Sequence, residues 1–214
     1  MIMGHNRTLL TKTFLRVIVL SMLAIFIQGC REDSKPLQRV STEATILAFG
    51  DSLTVGIGTE KVHSYPNVLA RLSNRKVVNA GISGEVTEQG LARLSDVIDE
   101  TNPALMILLE GGNDILRNYK LSKTKKNLKA MIALAKDKGV QLVLIGVPEK
   151  QIFSDVAPFY KELAEEHKLV FDGEIISSLI RKRAYKSDSV HFNQAGYKKM
   201  AEEIHQLLIE NGAL

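Results

Sequence analysis

Four short stretches of the 214-residue chain carry side chains whose chemistry is complementary: Gly50-Asp51-Ser52-Leu53, Gly84, Gly111-Gly112-Asn113-Asp114 and Asp188-Ser189-Val190-His191. In chain order they offer a hydroxyl, a backbone N–H that can be closely approached, a side-chain amide donor, and an imidazole with a carboxylate three residues before it. A serine hydroxyl is a weak nucleophile until a base within about 3 Å takes its proton. A carboxyl carbon under attack also needs donors aimed at the oxygen that becomes negative. Together the four stretches hold the parts of a serine acyl hydrolase.

Each part has a plainer role when taken alone. Ser52 beside Gly50 reads more economically as a helix N-cap next to a turn glycine. Asn113 after two glycines suits a turn or helix cap, and Gly81 and Gly84 equally suit a tight turn. An isolated Asp188-x-x-His191 pair is common on protein surfaces. Of the five histidines, His5 lies in a leader, His167 ends a helix and His205 lies within one. His63, in a loop, is a lesser candidate for the base. A carboxylate at Asp188 can accept the Nδ1 proton of His191 and leave Nε2 facing the serine. The Ser52 N–H, the Gly84 N–H and the Asn113 amide make three donors.

The elements that position these residues are legible as apolar runs. Residues 45–49, 76–79, 104–109, 142–147 and 169–171 read as strands, several of them apolar on both faces. That pattern belongs to a parallel sheet covered on both sides. Helical patterns lie near 65–73, 86–100, 123–138 and 155–167. In a last helix Asn193 is the N-cap, and Tyr197, Met200, Ala201, Ile204 and Leu208 form one apolar stripe. Strand and helix alternating five times predicts an open α/β sheet with right-handed crossovers, whose ligands bind beyond the carboxyl ends of the strands. The four stretches follow the first, second, third and fifth strands, the last after an intervening segment, so topology brings them to one rim.

These residues resemble the SGNH hydrolases, the GDSL esterase and lipase family, over most of residues 44–196. The serine block is Gly50-Asp51-Ser52-Leu53, the glycine block ends in Gly84, the asparagine block is Gly111-x-Asn113-Asp114 and the histidine block is Asp188-x-x-His191. Within the family, Asn79-Ala80-Gly81-Ile82-Ser83-Gly84 and Gln89-Gly90-Leu91-Ala92-Arg93-Leu94 are most similar to the periplasmic thioesterase, arylesterase and lysophospholipase branch. The resemblance implies a three-layer, flavodoxin-like α/β/α fold with strand order 2-1-3-4-5. It implies Ser52 as nucleophile, His191 as base, Asp188 as its orienting carboxylate, and Ser52, Gly84 and Asn113 as the oxyanion hole, with no metal or organic cofactor. Where that branch commonly has proline after the histidine this chain has Phe192, a change expected to alter the loop's stiffness and the adjacent pocket wall.

The first 29 residues stand apart. Arg7, Lys12 and Arg16 are their only charges, and the uncharged run from Val17 to Ile27 has 11 residues, too short for a bilayer span of about 20 and proportioned like a secretory signal. The lone cysteine, Cys30, follows Ile27-Gln28-Gly29, which resembles a lipobox apart from Gln28. Lipidation there anchors the mature protein to a membrane outside the cytoplasm, facing the periplasm or at the cell surface. The expected organisation is a signal peptide over 1–29, a polar tether over 30–43 and a hydrolase domain over 44–214. One cysteine excludes disulfides within the chain.

The formal charge of +4 comes largely from this leader: removing its three basic residues leaves 25 basic against 24 acidic. No basic stripe points to nucleic acid, and the dense run Lys123 to Lys129 reads as a solvated helix face. The expected partners are a small-molecule or lipid ester and the membrane, with the protein a monomer. Val55, Ile57, Ile152 and Phe153, in loops near the expected site, are compatible with an acyl chain and equally with packing under loops. A thioesterase or carbohydrate acetylesterase fits the same residues. Two rivals come from other classes: a metal-dependent phosphoesterase ligated by Asp51, Asp114, Asp188 and His191, and a lipoprotein that binds acyl or glycan ligands without turnover.

Overall fold

In the computed structural model, residues 37–149 and 155–214 are described. The leader, Cys30, the first part of the tether, Ile152 and Phe153 lie outside them. Five strands, β1 (Thr45–Gly50), β2 (Lys76–Gly81), β3 (Pro103–Leu109), β4 (Gln141–Ile145) and β5 (Val170–Asp172), form a parallel sheet in the order β2-β1-β3-β4-β5. All six residues of β1 are buried, and six of the seven in β3 are, as two-sided cover requires. The order is the one implied by the family resemblance.

The helices that cover this sheet are α1 (Ser52–Val55), α2 (Tyr65–Ser73), α3 (Thr87–Thr101), α4 (Gly112–Leu116), α5 (Leu121–Asp137), α6 (Pro158–His167), α7 (Ile175–Ile180) and α8 (Gln194–Glu210). They pack in two groups. In one, α2 and α7 lie against α8; in the other, α3 and α6 lie against α5. The expected stripe of α8 is buried at Tyr197, Met200, Ala201, Ile204 and Leu208, and Asn193 caps the helix by accepting from the Gly196 N–H.

Differences from the sequence reading have local causes. Helix α6 begins at Pro158 rather than near 155, because proline is favoured at the first helical position and residues 155–157 are already engaged. The Ala157 N–H donates to the Val147 carbonyl, and Pro148 bridges Val156 in antiparallel sense. That pairing also ends β4 at Ile145 rather than Val147. The described part of the expected tether is bonded to the domain: Leu37 N–H donates to Asn211 O, Val40 N–H donates to Ala213 O, and Val40 is buried. Helix α7 occupies the segment before the histidine block that had no assigned structure.

Register decides where the functional residues emerge. Gly50 at the end of β1 is level with Gly81 of β2 and with Leu109 of β3. The residues after these three positions therefore leave the sheet side by side, with β1 in the middle. Glycine is required at position 50: a Cβ there would sit 2.3 Å from the Leu109 carbonyl oxygen and 2.3 Å from Thr54 Oγ1. Gly50→Ala is expected to lower the unfolding free energy by about 1–3 kcal/mol through overpacking, measured by urea denaturation; an unchanged midpoint and slope contradict this account of the close approach.

Candidate active site

The turn after β1 is held by its own side chains. Asp51 caps α1, with Oδ1 accepting from the Leu53 N–H at 3.0 Å, so the cap is Asp51 and not Ser52. Ser52 is the first helical residue, and Gly56 closes the four-residue helix in the left-handed region at φ 92°. Gly81 is also a close-approach glycine, since a Cβ there would fall 2.4 Å from the Val55 nitrogen. The Ile82 N–H donates to the Gly50 carbonyl at 3.0 Å. The turn bearing Gly84, at φ +78°, is thus fastened to the strand that carries the serine.

Across the sheet, His191 is presented by a short loop. Asp188 Oδ1 accepts from the Val190 and His191 N–H groups, both at 2.8 Å, and the Ser187 N–H donates to the His191 carbonyl at 3.0 Å. Asp188 Oδ2 lies 2.7 Å from His191 Nδ1. His191 Nε2 lies 3.1 Å from Ser52 Oγ. Nδ1–H donating to the carboxylate leaves Nε2 to accept from the hydroxyl, the tautomer a base requires. Asp188 remains ionised: partial burial pushes its carboxyl up, but the Val190 N–H, the imidazole and the His191 N–H outweigh that and hold its pKa at about 2.

Phe192 does not line the pocket as expected. It is fully buried beneath the loop, edge-on to Tyr197 with ring centroids 5.6 Å apart. The Tyr197 hydroxyl donates to the Ile57 carbonyl at 2.8 Å, and a Cβ on Gly58 would meet the Phe192 carbonyl oxygen at 2.5 Å. The histidine loop and the segment after the serine helix are therefore packed directly on one another.

Asn113 lies in α4, whose N-cap is Gly111 at φ +105°, so Asn113 is not itself the cap. Its Nδ2 donates to Asp51 Oδ2 at 3.3 Å. Asp114, the next residue, is buried and accepts from the Thr87 N–H, the Thr87 hydroxyl and the Thr124 hydroxyl. His63 lines a different cavity, with Arg71 and Lys198. The four side chains weighed as metal ligands are not gathered: among the described residues no group of three or more His, Cys, Asp or Glu is placed to hold a metal ion.

Ser52, Asn113 and His191 open into a cavity of about 380 Å³, within the usual range for small-molecule sites of about 300–1,000 Å³. Its apolar walls include Ile115, Leu116, Val147, Pro148, Ile176 and Ile180. Val55 and Ile57 are not among its lining residues. The sequence reading missed Ile176 and Ile180 of α7; the helical spacing of Ile175, Ile176, Leu179 and Ile180 just before the histidine block was the available signal. The arrangement can move a proton from a hydroxyl to an imidazole beside an apolar chamber, which is the chemistry of acyl transfer.

The five-stranded parallel α/β fold and this geometry are those of an acyl-transfer scaffold, and comparison with known proteins names the family. Residues 48–199 match the GDSL-like lipase/acylhydrolase family, and the chain belongs to it. An esterase of Pseudomonas aeruginosa, TesA, is 32% identical over 146 residues, covering 66% of this chain and 71% of the relative. An arylesterase of Vibrio mimicus is 32% identical over 177 residues, covering 78% and 88%. The crystal structure of a psychrotrophic esterase, EstA, from Pseudoalteromonas sp. superposes with a TM-score of 0.71 at 21% identity, over 78% of this chain and 98% of that one, and shows the same fold. The protein is an ester-bond hydrolase.

Beneath the site lie four buried carboxyls, Asp51, Glu85, Glu110 and Asp114. Burial raises Asp51 to about 6; the Leu53 N–H and His191 pull it down, and Glu85 and Asp114 push it up. Glu110 is raised well above its ordinary value, first by burial and then by Asp51 and Glu85. A carboxyl that binds its proton more tightly when folded makes the native state less stable as pH rises through the window between its unfolded and folded pKa values. For Asp51 that window runs from 3.8 to about 6, a difference of about 3 kcal/mol at most. Asp188 has the opposite sign, and its contribution is lost only as pH falls below about 4 toward 2. Asp51→Asn should therefore gain stability relative to the wild type on going from pH 5 to pH 7.5, by about 1.4 kcal/mol; urea unfolding at both pH values checks this, and a gap independent of pH contradicts it.

Proposed function

We propose that the protein is a serine esterase working through an acyl-enzyme, with Ser52 as nucleophile, His191 as general base and acid, and Asp188 orienting the imidazole. The Ser52 and Gly84 N–H groups and the Asn113 amide hold the oxyanion. One observation carries the reading: Asp188 Oδ2, the two nitrogens of His191 and Ser52 Oγ form an unbroken line with spacings of 2.7 and 3.1 Å. Ser52 Oγ attacks the ester carbonyl as its proton passes to His191 Nε2. The tetrahedral intermediate then expels the alcohol, which takes that proton. Water, deprotonated in turn by Nε2, attacks the acyl-enzyme and releases the acid and the free serine.

The substrates are carboxylic esters with an apolar acyl or aryl portion, such as aryl esters, short acyl esters or lysophospholipids. The predominantly apolar chamber supports this, as does likeness to proteins named esterase and arylesterase. The active unit in this proposal is a monomer, a reading supported by Ser52, His191 and Asp188 all coming from one chain. Anchoring through a lipid on Cys30, outside the cytoplasm, rests on the 11-residue uncharged run and the Gly29–Cys30 junction.

Ser52→Ala is expected to remain folded while hydrolysis of p-nitrophenyl esters falls to background, and turnover at the wild-type level rejects the nucleophile. Asn113→Ala should lower kcat by about 10²–10³ with little change in KM, because its contact strengthens as charge develops. Profiling p-nitrophenyl esters of increasing chain length alongside a lysophospholipid, an acyl thioester and acetylated xylan separates the substrate classes: a preference for acetylated xylan overturns the acyl-chain assignment.

A further inference from the structure

The two oxyanion donors outside the serine turn come from elements that the sheet does not hold together. Gly84 follows β2 and Asn113 follows β3, while β1 lies between these strands. Neighbouring strands stand about 4.8 Å apart, so two strand spacings, or about 10 Å, separate the roots of these segments. Strand pairing ends at Gly81 and Leu109, and the Ile82 N–H on the Gly50 carbonyl is the last bond of the β1–β2 ladder. Beyond them the distance between the two donors must be fixed by side chains.

Arg117 makes that connection. It stands one helical turn after Asn113, and its N–H donates to the Asn113 carbonyl at 3.0 Å. Its guanidinium Nη2 donates to the Gly84 carbonyl at 2.8 Å. A single residue thus holds the backbone of both donor residues. The effect on Gly84 is specific, because glycine at φ +78° has no side chain to restrain its peptide planes. The Glu85 N–H donates to the Ile82 carbonyl at 3.2 Å, so with Arg117 in place both polar groups of the Gly84–Glu85 peptide are engaged. Without it, the carbonyl end of that peptide loses its protein partner.

Neighbouring contacts have different tasks. Asp114 ties α4 to Thr87, at the start of α3 and three residues beyond the donor. Arg93 takes the Glu85 carboxylate at 2.7 Å and the Ala80 carbonyl at 2.9 Å, fixing the base of the turn. Among the described residues, the side chain that donates to the Gly84 carbonyl is that of Arg117. Its side chain is exposed, so its removal leaves no cavity in the core.

We infer that Arg117 is a positioning residue that sets the spacing of the Gly84 and Asn113 donors, and so acts on the transition state without touching substrate. The inference rests on the oxyanion assignment proposed above. Steady-state hydrolysis of a neutral p-nitrophenyl ester by Arg117→Ala, Arg117→Lys and Asn113→Ala tests it. Arg117→Ala should lose about tenfold in kcat, with KM within twofold and the thermal midpoint close to wild type. Arg117→Lys, which keeps a cationic donor, should recover part of that loss. Wild-type kcat in Arg117→Ala beside an impaired Asn113→Ala overturns the role of Arg117, as does a raised KM at constant kcat, which makes it a substrate contact. Wild-type kcat in both variants overturns the donor assignment beneath it.

Discussion

The site depends on a contact between two residues 139 apart, Ser52 Oγ and His191 Nε2, at 3.1 Å. A proton is handed between such groups only at hydrogen-bond distance, so the structure on either side must hold two loops in register. On the serine side, β1 sits inside the sheet with both neighbours level at Gly50, and Asp51 caps the turn. On the histidine side, Asp188 closes its own loop and Phe192 anchors it in the core against Tyr197. The Tyr197 hydroxyl on the Ile57 carbonyl then joins the two halves. A rigid interior of this kind leaves little slack at its surface, because packed cores resist small displacements.

Two aspartates near the site show how environment divides one functional group between tasks. Asp188 is half-exposed and takes two backbone N–H groups and the imidazole, so its charge is stable and available to the histidine. Asp51 is buried among other carboxyls and ionises reluctantly, yet it receives the Leu53 N–H on one oxygen and the Asn113 amide on the other. The first orients the proposed base; the second connects the serine turn to the proposed donor helix. Desolvation decides between them, since removing a carboxylate from water costs more than a few neutral donors return.

Part of the cavity wall comes from elements that carry none of the matched motif residues. Val147 and Pro148 leave the sheet just after β4 and pair with the segment before α6, while Ile176 and Ile180 come from α7. Motif spacing does not register such walls, because an apolar residue on a short helix reads the same whether it faces the core or a chamber. The same ambiguity made Val55 and Ile57 candidate wall residues from sequence; Val55 instead lies against Gly81 of β2, and the Ile57 carbonyl takes the Tyr197 hydroxyl.

Much of the architecture was legible in the chain alone. Apolar runs on both strand faces required a covered parallel sheet, glycines marked the strand ends, and the order of four short motifs after successive strands brought them to one rim. Local chemistry also foretold the Asn193 cap and the Asp188–His191 pair, three residues apart. What tertiary structure decided was everything set by distance between segments far apart in sequence: that Phe192 points into the core, that four carboxyls share one buried region, and that Arg117 reaches Gly84. Periodicity and spacing encode which face a residue occupies, but contacts across β1 depend on strand order and register, which emerge only when the sheet is assembled.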